Sequence, residues 1–188
     1  MLNGNLFIHI PRTAGTSIRD AMLATGKAWY AAPVSRPNQH IRDRANQFSP
    51  HLTLDQLAKP LGNLGSLWKF TVARNPWDRF VSVWHYFGAK GSFQTFMKRF
   101  LRRGRSISQS KFFDGSQKFD CVMRYEALER DWLWVRDQLM LYGAELPRAN
   151  PGHNRRKHRE YRDFYTDALA AEVEELEAVV VDMFGYEF

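Results

Sequence analysis

A strand, a turn and the start of a helix are written in LFIHIPRTAGTS, residues 6–17. Leu6 to Ile10 is a short apolar run of strand formers, and Pro11 ends it. From Ser17 onward the pattern is helical. The turn between them carries one cation, Arg12, and the hydroxyls of Thr13, Thr16 and Ser17 among small residues. Backbone N–H groups at a helix start bind phosphate or sulfate, Gly15 lets the main chain approach closely, and Thr16 and Ser17 have hydroxyls to add. The spacing therefore predicts an anion cradle. It is not the triphosphatase loop, which needs Gly, four residues, then Gly-Lys and Ser or Thr to place a lysine and a magnesium-binding hydroxyl.

Working outward, Leu67–Ala73 (LWKFTVA) reads as a second buried strand, followed by Asn75 and Pro76 with N-cap and first-turn chemistry. Phe80, Val81, Trp84 and Phe87 then fall at helical spacing. Short helices are expected over 54–61 and 93–101, a third strand over 119–124, and a helix over 129–142 with Trp132, Val135, Leu139 and Tyr142 along one face. Trp77, Trp84, Trp132 and Trp134 are core by spacing. One acidic, solvent-facing helix is expected over 166–183. The polar stretch 25–50, with Pro33, Pro37 and Pro50, reads as loops, and Trp29 and Tyr30 within it either line a ligand cleft or anchor the loop. Alternating strands and helices predict an α/β fold with a parallel sheet, and in such sheets ligands bind beyond the carboxyl ends of strands.

The chain has 188 residues, 44% hydrophobic and 25% charged, enough for one domain with a real core. No linker composition divides it, so 1–188 is expected to be a single domain. The formal charge is +7, but the last 26 residues hold eight acids and no Lys or Arg, so the preceding 162 residues set 27 cations against 12 acids. A basic body of that kind suits an anionic partner. Cys121, the sole cysteine, rules out an intramolecular disulfide framework and reads as a small buried hydrophobe. No run approaches the roughly 20 apolar residues of a membrane span, and MLNGNLFIHI lacks a signal-peptide pattern, so a cytoplasmic protein without stable membrane insertion is expected.

FIHIPRTAGTS at 7–17 closely resembles the 5′-phosphosulfate loop of sulfotransferases that use 3′-phosphoadenosine 5′-phosphosulfate (PAPS), and FTVARNPWDRFVSVWHYF at 70–87 is similar to their 3′-phosphate motif. Further resemblance runs through His51-Leu52-Thr53, Arg124-Tyr125-Glu126, His153-Asn154, and Tyr161 to Tyr165 leading to the ending Phe184-Gly185-Tyr186-Glu187-Phe188. The resemblance implies a three-layer, P-loop-like fold with a central, mostly parallel sheet flanked by helices. It implies PAPS as sulfuryl donor and direct in-line transfer to an acceptor hydroxyl, of a carbohydrate or glycolipid; no metal is expected, because His40, His85 and His158 have no companion ligands at metal spacing. On the matching positions, Arg12, Thr13, Ala14, Gly15, Thr16 and Ser17 hold the 5′-phosphosulfate and Arg74 and Ser82 the 3′-phosphate. Asn154 and Arg155 belong to a basic segment, continuing through Arg156, Lys157, Arg159 and Arg162, that the family closes over the nucleotide; a solvated basic patch or a surface for an anionic acceptor is the alternative reading.

The family most often has lysine where this chain has Arg12, and a planar guanidinium is a different donor from a compact ammonium. Arg12 and the loop amides would stabilise charge in the transfer step. Deprotonating the acceptor needs a base, and His51 is the candidate, in part because uronosyl 2-O-sulfotransferases have a histidine in a similar place; a capping or surface histidine is the alternative. His9, inside the first strand, is expected to be a core histidine. Arg99, Arg102, Arg103 and Arg105 form a second basic patch, either a solvated face or a glycan contact. Competing functions are a sulfotransferase-like nucleotide binder without transfer, a small ATP-dependent kinase, which lacks its phosphate-loop lysine here, and a nucleic-acid-binding module, for which no motif speaks.

Overall fold

A computed structural model describes residues 4–25, 30–31, 51–62, 64–147 and 160–188. The chain forms two compact units that exchange segments along the sequence, one from Met1–Ala73 and Gly115–Ala149, the other from Arg74–Asp114 and Asn150–Phe188.

In the first unit, β1 (Gly4–Ile8), β2 (Tyr30–Ala31), β3 (Leu67–Ala73) and β4 (Cys121–Arg124) form one sheet in the order β2-β1-β3-β4, every pair parallel. Side chains alternate across the sheet. Phe7, Phe70, Val72 and Met123 pack with Ile18, Ala21 and Met22 of α1 (Gly15–Ala24) and Trp132 and Val135 of α5 (Leu128–Gln138). Leu6 and Ile8 face the other way and are equally buried, as a parallel sheet covered on both faces requires. The expected α/β class with a parallel sheet flanked by helices is the one found. The chain leaves β1 toward β2 on one side and reaches β3 on the other, so the topological switch lies at the carboxyl ends of β1 and β3.

α2 (Leu54–Leu61) starts in a capping box, in which the Thr53 hydroxyl accepts from Gln56 N–H and the Gln56 side chain accepts from Thr53 N–H. Asp55 ties this helix to residues 116–117 through Ser116 Oγ at 2.9 Å and the Ser116 and Gln117 N–H groups at 3.1 Å. These bonds hold its carboxyl below the usual carboxylate range.

The second unit holds α3 (Pro76–Tyr86), α4 (Phe93–Leu101), α6 (Asp167–Leu176) and α7 (Ala178–Phe184). Its core is aromatic. Trp77 is fully buried, donates from Nε1 to the Ala170 carbonyl and meets the Phe188 ring at a tilt, while Phe93 meets Trp84, Phe164 and Tyr165.

Several expectations change. The first strand ends at Ile8, so His9 lies beyond it, just ahead of the turn at 11–14 with its left-handed Arg12 and Ala14. Trp134 and Tyr142 were expected inside and are 52% and 75% exposed, because α5 stops at Gln138 and presents Trp132 and Val135 instead. Phe87 is exposed at the end of α3. The acidic terminal helix is two helices, broken at Glu177, whose side chain turns inward and is fully buried. Cys121 is half-buried, and burial pushes its thiol up to about 11, away from reactivity. Trp29 lies outside the described residues.

Candidate functional site

In the first unit, β1 delivers the chain into a turn with two left-handed residues that are not glycine, Arg12 at φ 66° and Ala14 at φ 69°. Each costs about 1–2 kcal/mol, and such strain concentrates where main-chain direction matters. Turns of this kind bring successive N–H groups to one side, the geometry of anion nests. Thr13 is fully buried, and its hydroxyl donates to the Ile10 carbonyl at 2.9 Å, so it braces the turn and has only its main chain to offer an anion.

α1 then begins without a side-chain cap, since its N-cap residue is Ala14, and has no acid in its first turn. α2, α3, α4 and α6 are capped by Thr53, Asn75, Ser92 and Thr166, while α5 and α7 share with α1 the lack of a side-chain cap. First-turn N–H groups lacking a side-chain acceptor are donors suited to an anion. Thr16 and Ser17 sit in this turn, half-buried. Gly15 is buried against His9, and a Cβ there would fall inside the His9 ring. Gly15 is thus required by a close approach, and sequence reasoning had assigned that closeness to the ligand.

The same turn brings His9 and His51 together, with rings 4.9 Å apart in an edge-to-face arrangement. His51 Nδ1 lies 2.7 Å from the His9 main-chain carbonyl. A carbonyl only accepts, so Nδ1 carries the proton and the neutral ring keeps its lone pair on Nε2. His51 also precedes Thr53, the N-cap of α2, by two residues. Burial, then the charges of His51, Arg19 and Arg12, lower the His9 pKa to about 3, so His9 is neutral at ordinary pH.

In the second unit, Arg74 follows the last residue of β3 and is 3% exposed. Asp78, one turn into α3, takes two of its donors, with Nε at 2.8 Å and Nη2 at 2.6 Å. A guanidinium has five N–H donors, so this pair orients one edge and leaves the fork a defined direction. Asn75 caps α3 by accepting from the Asp78 N–H at 3.1 Å. Arg74 precedes the N-cap Asn75, while Ser82 lies on α3 four residues on from Asp78, on the same helix face, and is buried. Asp78 was missed in the sequence, although Arg-x-x-x-Asp at i, i+4 was visible there.

Asn154, Arg155, Arg156, Lys157 and Arg159 lie outside the described residues. Arg162 lies over the Tyr161 ring at 4.8 Å. Arg99, Arg102 and Arg103 are exposed, with Arg103 over Phe100, and the side chain of Arg105 lies outside the described residues. A surface cavity of about 500 Å³ lined by Leu101, Ser110, Glu172 and Glu175 includes none of the predicted site residues, and its carboxylates disfavour an anionic donor. Among the described residues no cluster of three His, Cys, Asp or Glu is placed to hold a metal. Among them, too, no helix is long and apolar enough to cross a membrane.

The first unit thus offers a parallel sheet and, beyond β1, a helix start without a side-chain cap, and the second unit a buried arginine at its first residue. The family model described as the sulfotransferase family matches residues 3–188, and the chain belongs to that family. It is a sulfuryl transferase by family, and members act on acceptors bearing a hydroxyl. No curated protein matches the chain.

Proposed function

We propose that residues 1–188 act as a single sulfotransferase domain that moves the sulfuryl group of PAPS to a hydroxyl of a carbohydrate or glycolipid. The observation that carries this reading is the uncapped start of α1 behind a left-handed turn, in a chain whose buried Arg74 is aimed by Asp78. When bound, PAPS supplies the sulfuryl group, as the acceptor oxygen forms a bond to sulfur and the bond from sulfur to the 5′-phosphate oxygen breaks. The N–H groups of Arg12 through Ser17, with the Thr16 and Ser17 hydroxyls, hold the 5′-phosphosulfate end. The Arg12 guanidinium balances charge on the departing phosphate oxygen. Arg74 and Ser82 hold the 3′-phosphate, with Asn154 and Arg155 as further contacts from the basic segment.

His51 accepts the acceptor proton at Nε2. Its Nδ1–H bond to the His9 carbonyl persists when the ring is protonated, so the imidazolium is stabilised where it forms. His9 stays neutral beside it and adds no competing positive charge.

The test is the affinity for 3′,5′-bisphosphoadenosine. Losing one charge-assisted contact costs about 1.5–3 kcal/mol, so Arg74→Ala should weaken binding roughly 10- to 100-fold, and Ser82→Ala less. Unchanged affinity in both variants removes the 3′-phosphate assignment.

A further inference from the structure

Glu177 interrupts the terminal helix to bury a carboxylate at 0% exposure in the second unit. Five donors meet it. Arg79 Nη2 at 2.6 Å and the Gln109 N–H at 3.0 Å bond Oε1, while Ser108 Oγ at 2.8 Å, the Ser110 N–H at 2.9 Å and Ser110 Oγ at 3.1 Å bond Oε2. Residues 108–110 are thereby gathered around one carboxylate. A buried ion pair is poor at adding stability compared with an apolar replacement, and its better-attested use is to select one arrangement of the chain.

What this arrangement sets is the side chain of Gln109, also at 0% exposure. Its Nε2 donates to the Arg74 carbonyl at 2.6 Å and its Oε1 accepts from the Arg74 N–H at 3.3 Å. The main-chain carbonyl can only accept and the N–H only donate, so the amide has one orientation that satisfies both. An apolar side chain would bury as much surface without needing partners, whereas the amide grips both main-chain groups of a single residue. That residue is the arginine assigned to the 3′-phosphate.

Resting on the donor reading above, we propose that Gln109 and, behind it, Glu177 are positioning residues for 3′-phosphate recognition, holding the main chain of Arg74 in the conformation from which its guanidinium meets the phosphate. Neither needs to touch the nucleotide. Asp78 orients the side chain of Arg74 and Gln109 its main chain.

The experiment compares affinities for 3′,5′-bisphosphoadenosine and AMP in wild type, Gln109→Met, Gln109→Glu, Glu177→Gln and Arg74→Ala. The readout is the ratio of the two, since a purely structural loss lowers melting temperature without changing the ratio in the folded fraction. Gln109→Met keeps the length and removes both bonds; the preference for the bisphosphate should fall at least about 10-fold, with AMP affinity within about twofold. Gln109→Glu keeps an acceptor for the N–H and loses the donor to the carbonyl, so it should show the same loss, and it serves if the Met variant does not fold. Glu177→Gln, one step removed, should fall about threefold. A ratio unchanged in folded Gln109 variants, while Arg74→Ala loses it, overturns this inference alone. A ratio that survives Arg74→Ala overturns the donor reading, and this inference with it.

Discussion

Gly15→Ala is a small change that the structure makes a large one. A Cβ at residue 15 would lie within the His9 ring, closer to its Cδ2, Nε2 and Cγ than real Cβ atoms approach anything. The backbone there is ordinary helix, so the cost comes from the collision alone. Forcing one extra carbon into a packed site costs about 1–3 kcal/mol, and alanine's helix preference over glycine returns up to about 1 kcal/mol. A net loss of about 1–2 kcal/mol is expected. His9→Ala alone should also destabilise, by leaving a gap beside His51. In the double variant the Cβ enters that gap, and the collision is gone. The two losses should therefore fail to add, with a coupling energy of about 1–3 kcal/mol. Urea denaturation of the four proteins measures it. Additivity within about 0.5 kcal/mol would refute the packing of His9 against Gly15.

Three further outcomes are expected. His9 titrates near 3 in the folded chain and near 6.5 unfolded, so its contribution is present above pH 6.5 and is lost as pH falls toward 3; between pH 7 and 5 wild type should lose about 2 kcal/mol more than His9→Asn, and parallel profiles in urea denaturation would contradict this. His51→Ala should leave bisphosphate affinity within about twofold and lower turnover roughly 10²- to 10⁴-fold, whereas near-normal turnover would remove it as the base. Arg12→Ala should act chiefly on turnover; an effect confined to donor affinity would make Arg12 an anchor rather than a transition-state contact.

The elements that sequence made legible are those with a local cause. β3 and the helices at 54–61 and 93–101 have the expected bounds, because an apolar stripe and a cap such as Thr53 or Ser92 lie within a few residues of what they govern. The turn after β1 was legible for the same reason, through Pro11, Gly15 and the helix start. What escaped depends on partners far along the chain. Glu177 sits in a run of acids that reads as a solvated face, and only Arg79 and residues 108–110 turn it inward. Gln109 carries no local signal of its grip on Arg74, 35 positions earlier. His9 reads as a strand residue, yet it lies just past the end of β1 with its ring against that of His51.

The most direct measurement is thermal stabilisation by 3′,5′-bisphosphoadenosine against AMP, ADP and ATP with Mg²⁺ at matched ionic strength. At 100 times its dissociation constant a ligand adds about 2.7 kcal/mol, a shift of several degrees for a domain of this size. Selective stabilisation by the bisphosphate is the predicted result. Equal shifts from all four nucleotides, or none from the bisphosphate, would contradict a PAPS site built on the turn at 12–17 and on Arg74.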